Sequence, residues 1–394
     1  MKRKRIMAKK LLRACPICLN TSKGYVLHTQ SFVLPEGHLL SNARKYDVVS
    51  CSKCGFVYAD TPVKQDIYDK YYTEMSKYEM GYDNIDLEKY MSQAKIISAI
   101  MEDKNAPVID VGAGNGGLLM ALKELGYRNL TALDPSEKCV ENIKKKGIKA
   151  EIGSVFQHKV KDKFDLVILS HVMEHLVEVD KAMSALISMA GDRGVIYIEV
   201  PDASMYVENY VVPFYFFDTE HINHFEEVSL INLGLSHGLQ VFNLGKNKIK
   251  VSEKTKYPVI HIAYKCMGNS TDWKKYSSDR ILNYVSLSKK EKASNLIIDE
   301  LIKKNEEIVI WGAGNFTMRL LDNSNLSRCN IIGFIDKDPK KQGMKILNKT
   351  VYDTKFVKNL SSITTIVVCS AVFSEQILGE LKKMKIKNKV VVLK

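Results

Sequence analysis

No apolar run in the 394 residues reaches the roughly 18 that a membrane-spanning helix needs, so the sequence predicts no membrane partner. Arginine is scarce: it supplies 9 of the 58 basic residues, and the lysines are spread along the whole chain. A formal net charge of +13 raises nucleic acid as a partner. Base-specific contact favours Arg, however, and a binding surface concentrates its charge. The expectation is therefore a lysine-rich solvated surface, whose field also attracts small anionic substrates. The basic opening M-K-R-K-R-I-M-A-K-K-L-L-R meets Cys15 before any signal-like apolar region, which predicts a cytoplasmic protein. The 45% apolar and 26% charged fractions are those of an ordinary folded chain, and the length predicts two or three domains.

The chain is organised around Val108–Gly117, V-I-D-V-G-A-G-N-G-G. An apolar run ends in Asp110; Gly112, Ala113, Gly114, Asn115 and Gly116 make a turn; Leu118–Leu125 continue at helical spacing. Glycines let the backbone turn sharply and let a ligand approach closely. Twenty residues past Gly114 a second apolar run ends in Asp134, followed by Pro135, where a carboxylate grips ribose hydroxyls. A plain strand-to-helix connection would also use glycines. The order D-x-G-x-G-x-G resembles motif I of the class I S-adenosylmethionine (SAM) methyltransferases, and later landmarks agree with it. Ala150–Phe156 reads as the third strand and the loop bordering adenine, with Ser154 and Val155 in that loop. Phe164–Ser170 reads as the fourth strand, running into Ser170, His171 and H-V-M-E-H; Val195–Pro201 reads as the fifth. Strands alternating with helices imply a parallel sheet covered on both faces.

Before this core, C-P-I-C (Cys15, Cys18) and C-S-K-C-G (Cys51, Cys54) are two knuckles with 32 residues between them. Each places two thiolates at adjacent corners of a tetrahedron, which predicts a structural four-cysteine zinc site with no open coordination position. A duplicated redox pair and disulfides in a cytoplasmic protein are the weaker alternatives. A Tyr-dense connector follows, with Tyr68, Tyr71, Tyr72, Tyr78, Tyr82 and Tyr90. Further on, F-Y-F-F-D-T-E-H-I-N-H-F gathers Glu220, His221 and His224. A general base is the leading reading there and plain surface decoration the next; metal binding by those three is a minor one, because the spacing is not H-E-x-x-H. Residues 281–304 read as one helix. Glu307–Gly314 (E-I-V-I-W-G-A-G) then repeats the strand-turn pattern, with Asp336 at a strand end 22 residues after Gly314. This predicts a second, smaller Rossmann-like unit, either a nucleotide platform or a duplicated fold used for packing.

Taken together, C-P-I-C…C-S-K-C-G, V-G-A-G-N-G, E-H-I-N-H-F and W-G-A-G…F-I-D-K-D-P resemble the bacterial sugar C-methyltransferases of deoxysugar biosynthesis over nearly the whole chain. The resemblance implies an α/β fold in three parts: a zinc module and connector (1–78), a class I SAM methyltransferase core (79–268) and a C-terminal Rossmann-like domain (269–394). It implies methylation of a nucleotide-linked 4-keto sugar, with SAM and structural Zn2+ as cofactors. Glu220 and His221 match the family's Glu-His pair, His221 being the base. His175 matches a pocket histidine, and Tyr71–Tyr72 an active-site phenol, for which Tyr72 is taken. Asp218 stands where the family has tyrosine, which leaves room for a hydroxyl or amine acceptor on a surface-polysaccharide precursor. The alternative is an rRNA or tRNA methyltransferase with a zinc-knuckle module; N/D-P-P-Y, expected of amino-directed base methylation, does not follow the fourth strand. A scaffold that has lost transfer is disfavoured by the intact Asp110, Gly112, Gly114 and Asp134.

Overall fold

The computed structural model describes residues 7–75, 79, 84–159, 161–266, 273–274, 276–291 and 293–394. Tyr78, Tyr82 and most of the polar stretch 268–278 lie outside the described residues. The chain forms two compact units. The first comprises Met1–Leu27, Val48–Asn209 and Glu220–Leu282; the second comprises His28–Asp47, Tyr210–Thr219 and Asn283–Lys394.

The first unit is built on seven strands: β1 (Val108–Val111), β2 (Leu130–Asp134), β3 (Lys149–Ile152), β4 (Phe164–Ser170), β5 (Ala190–Pro201), β6 (Leu239–Lys250) and β7 (Lys256–Cys266). Their order is β3-β2-β1-β4-β5-β7-β6. β1 to β5 pair in parallel, whereas β7 runs antiparallel to β5 and β6 antiparallel to β7. That order, with β7 alone reversed beside the edge strand β6, is the class I methyltransferase sheet. The chain leaves β1 in one direction through β2 and β3, then returns to build β4 and β5 on the other side. Ligands of open α/β sheets bind at the strand C-termini where this order reverses.

Strand alternation explains why both faces are covered. Ile109, Val111, Leu133, Val167 and Leu169 point into one apolar layer with Val179, Met183 and Leu186. Their neighbours Val108, Ala132, Leu166 and Ile168 point into the other with Leu118, Leu122 and Val140. Helix α1 (Gly117–Glu124) follows β1, and α2 (Glu137–Lys145) follows β2. Ser136 caps α2 by accepting the Cys139 N–H at 3.3 Å, and Lys144 and Lys145 sit at its negative C-terminal end.

Before the sheet come two helices, Gln65–Met75 and Asn84–Ile100, and a smaller sheet ordered Ala8–Lys10, Lys23–Ser31, Lys45–Cys51, Val57–Asp60, Asn223–His224. Its last strand comes from far along the chain and pairs antiparallel with Val57 and Tyr58. The second unit has a six-stranded sheet ordered Lys345–Ile346, Lys349–Tyr352, Asn330–Ile335, Glu307–Trp311, Thr365–Cys369, Val390–Leu393, parallel apart from its first pair. The single helix expected over 281–304 is two, Asp279–Lys290 and Ala293–Lys304.

Candidate functional site

The expected donor residues gather at the end of β1. Gly112, Gly114 and Gly116 have φ of 79°, 53° and 74°, a region costly for residues with a Cβ. A Cβ on Gly112 would lie 2.5 Å from Val172 Cγ2. The turn and the loop after β4 therefore touch. Asp134 Oδ2 accepts the Gly114 N–H at 2.7 Å and Oδ1 accepts the Ser136 N–H at 2.9 Å. This fixes the β2 carboxylate beside the glycine turn. Burial raises the Asp110 carboxyl to about 7, with Asp134 adding repulsion, and raises Asp134 to about 6 against those two N–H groups. Asn115 is engaged by Asn142, Pro135 begins the turn into α2, and Val155 is buried. Ser154 closes its own turn: its hydroxyl oxygen accepts the N–H groups of Phe156 and Gln157, both at 3.2 Å. Ser170 accepts from buried Gln93 at 2.6 Å.

The loop after β4 carries a cluster of charge. His171, in the left-handed region at φ 54°, faces Glu174 through Nδ1 (3.3 Å) and Glu199 of β5 through Nε2 (3.4 Å). Burial pulls the imidazole down, but the two carboxylates outweigh it and lift it to about 9. Glu174, 1% exposed, is opposed by burial yet held at about 2, chiefly by His175 and His171. Tyr197 donates to Glu199 at 2.8 Å.

The Glu220–Phe225 segment is pinned from both sides. The Ile222 carbonyl accepts the Ala59 N–H at 2.8 Å, and the Ile222 N–H donates to the Glu174 carbonyl at 2.9 Å. Asn223 donates to the carbonyls of Met173 (3.0 Å) and Leu176 (2.7 Å). The N-terminal module and the post-β4 turn thus bring His221 and His175 together, with ring centroids 4.8 Å apart. His175 Nδ1 donates to the Glu220 carbonyl at 3.0 Å, since a carbonyl only accepts. His221 Nδ1 lies 3.2 Å from the Tyr257 hydroxyl. Tyr72 packs edge-on against His175 at 5.3 Å, and Tyr71 donates to Glu220 at 3.3 Å.

Among the described residues the groups able to share an ion are the four cysteines and Glu174, His175 and His221, not Glu220, His221 and His224. His224 is fully buried and faces Tyr206 through Nδ1 at 3.3 Å. Asp218 belongs to the second unit, where its carbonyl accepts the Tyr46 hydroxyl at 2.6 Å. Sequence reasoning missed Glu174, Glu199 and Tyr257. The signal for Glu199 was a lone acid inside the apolar run V-I-Y-I-E-V-P; Tyr257 had none.

The sheet order, the glycine turn and the anchored Asp134 define a class I SAM-dependent methyltransferase domain. In agreement, residues 85–244 match the family model described as a methyltransferase domain, and residues 304–392 match one described as C2185-like, N-terminal. No curated protein matches the chain. Similar solved structures include magnesium protoporphyrin IX methyltransferase of Synechocystis with bound S-adenosylhomocysteine (17% identity, TM-score 0.41, covering 52% of this chain and 100% of that one). A SAM-dependent methyltransferase of Clostridium acetobutylicum gives 15%, 0.36, 52% and 99%. One of Mesorhizobium loti gives 14%, 0.37, 45% and 99%.

Proposed function

We propose that this enzyme methylates a nucleotide-activated sugar, with His221 as general base, in deoxysugar or surface-polysaccharide biosynthesis. The observation that supports it most is the placement of His221: half-buried, beside His175, and within 4.8 Å of the Glu174 carboxylate that adjoins the donor turn through His171 and Val172. SAM supplies a methyl already activated as a sulfonium, so the protein must align the acceptor and take one proton. In the tautomer with hydrogen on Nδ1, which donates to the Tyr257 hydroxyl 3.2 Å away, Nε2 of His221 carries the lone pair that a base needs. His221 removes a proton from the acceptor, either the carbon beside a 4-keto group or a hydroxyl. The electron pair released there forms the new bond to methyl, and the sulfur leaves as neutral thioether. Tyr72 and Glu220 line the same corner and would orient the sugar.

We further propose that Cys15, Cys18, Cys51 and Cys54 hold a structural zinc. The Sγ atoms of Cys15 and Cys54 are 3.5 Å apart and those of Cys18 and Cys51 3.6 Å. A zinc tetrahedron with Zn–S of ~2.3 Å has edges of about 3.8 Å, so the set fits with a small expansion. The Cys51 sulfur also faces the Asn20 amide and the Lys53 N–H, each at 3.4 Å, as a thiolate would.

The test is incubation with labelled SAM and a panel of nucleotide 4-keto and ordinary sugars, for wild type and His221→Ala. Substituting His221 should lower turnover at least ~100-fold, the usual size of a general-base effect, with SAM affinity near normal. Unchanged turnover removes His221 from the mechanism, and label in RNA instead of sugar overturns the substrate class.

A further inference from the structure

The imidazole of His171 lies between two carboxylates that are almost wholly buried, Glu174 at 1% and Glu199 at 2% exposure. Each ring nitrogen faces a different carboxylate oxygen, at 3.3 and 3.4 Å. A neutral imidazole has hydrogen on only one nitrogen and would turn its lone pair toward one carboxylate; only the imidazolium suits both. Two buried carboxylates without a cation between them would also be costly. The backbone is held as well. The His171 N–H donates to the Glu199 carbonyl at 2.8 Å, and the residue takes φ of 54°, where a side chain other than glycine is strained. The next residue is Val172, whose Cγ2 occupies the space a Cβ on Gly112 would need.

We infer that Glu174 and Glu199 are positioning residues: they clamp His171 as a cation, and the clamp holds the loop after β4 against the glycine turn that receives the methyl donor. The inference rests on the SAM reading of that turn and adds two residues it does not include. It gives the loop two anchors, because the same Glu174 that faces His171 also faces His175 at 3.9 Å. Donor side and base side are thereby tied to one carboxylate. The titratable groups around the clamp are Glu174 and His175 of its own loop, Glu199 and Tyr197 of β5, His261 of β7 stacked on Tyr197, and His221. His171 titrates at about 9. The sign follows: the clamp is intact below that pH and is lost as pH rises through it.

The experiment is calorimetric titration of the full-length protein with S-adenosylhomocysteine from pH 7 to 10, for wild type, His171→Gln, Glu199→Gln and Glu199→Asp. Wild-type affinity should fall at least about tenfold as pH passes 9, while His171→Gln binds at least about tenfold more weakly at pH 7 and lacks this limb. In Glu199→Gln the limb should come at least about one pH unit earlier, and Glu199→Asp should restore it. Superimposable pH dependence in wild type and His171→Gln overturns the clamp. A measurement needing no variant is the imidazole 15N spectrum of the wild type, which should retain an imidazolium signal at pH 8; absence of any such signal also overturns it. Failure of the wild type to take up S-adenosylhomocysteine at pH 7 overturns the donor reading itself, so the two failures are distinguishable.

Discussion

Replacing Gly112 by alanine tests the donor turn through two separable terms. The first is backbone: at φ 79° an L-residue costs roughly 1–2 kcal/mol. The second is steric: the new Cβ meets Val172 Cγ2 at 2.5 Å, and overpacking of this kind costs roughly 1–3 kcal/mol. Together they give about 2–5 kcal/mol. Gly126 is the matched control, because its φ is 95° and a Cβ there meets nothing within 4 Å. Gly126→Ala should therefore show only the backbone term, about 1–2 kcal/mol. At about 2–4 °C of melting temperature per kcal/mol, calorimetric melts separate the two variants. The steric term has a direction: it pushes Val172, and with it the loop after β4, away from the turn. Gly112→Ala should thus lose SAM affinity at least about tenfold, whereas Gly126→Ala keeps it. Equal melting losses in both variants, with SAM affinity retained in both, would refute the reasoning.

Three other outcomes are expected. Since folding raises the Asp110 and Asp134 carboxyls, to about 7 and about 6, each favours the folded state most below the unfolded pKa of ~3.9 and loses that advantage as pH climbs to 7. The ligand-free protein should lose this contribution to its melting temperature over that range, while SAM affinity rises as Asp134 ionises to accept ribose hydroxyls; titrations at pH 5 to 7.5 with constant affinity would contradict it. Stripping metal with a strong chelator should release about one zinc per chain, measured by atomic absorption, and lower the melting temperature, with Cys51→Ser doing the same; a metal-free preparation with unchanged melting contradicts the four-cysteine zinc reading. Asp336→Asn should destabilise the second unit by roughly 1–3 kcal/mol, because an amide cannot accept both the Ala313 N–H (2.8 Å) and the Asp338 N–H (2.9 Å) without turning a donor toward one of them. Melting curves identical to wild type would show that those bonds contribute nothing.

The landmarks legible in the sequence were those whose physics is local. A strand, a glycine turn and an acid twenty residues on are fixed by short-range geometry, and two C-x-x-C knuckles announce one another whatever lies between them. Charge pairing is not local. Glu174 and His171 share a loop, yet the carboxylate that completes their cluster stands on β5, in register with Ser170 at the end of β4. Sequence shows Glu199 only as an acid interrupting an apolar run. Neighbours in sequence can also part: between Thr219 and Glu220 the chain passes from one compact unit to the other, so Asp218 and Glu220 belong to different units. The stretch 281–304 keeps apolar spacing through both of its helices, and periodicity does not register the break between Lys290 and Ala293.

The same backbone device occurs twice in this chain, and its two settings differ in a way that bears on function. Asp134 accepts the Gly114 and Ser136 N–H groups; Asp336 accepts the Ala313 and Asp338 N–H groups at nearly the same distances. In the first turn three glycines in succession, 112, 114 and 116, have positive φ, so the backbone is bare where a ligand would approach. In the second only Gly312 does, at φ 112°, and a Cβ there would lie 2.4 Å from the Cys369 carbonyl oxygen. That glycine is required by packing against the neighbouring strand. Gly314 has an ordinary φ of −103° and open space where its Cβ would be, so neither strain nor crowding demands glycine there. Strand packing therefore accounts for Gly312, while neither packing nor backbone strain requires the second glycine of G-A-G.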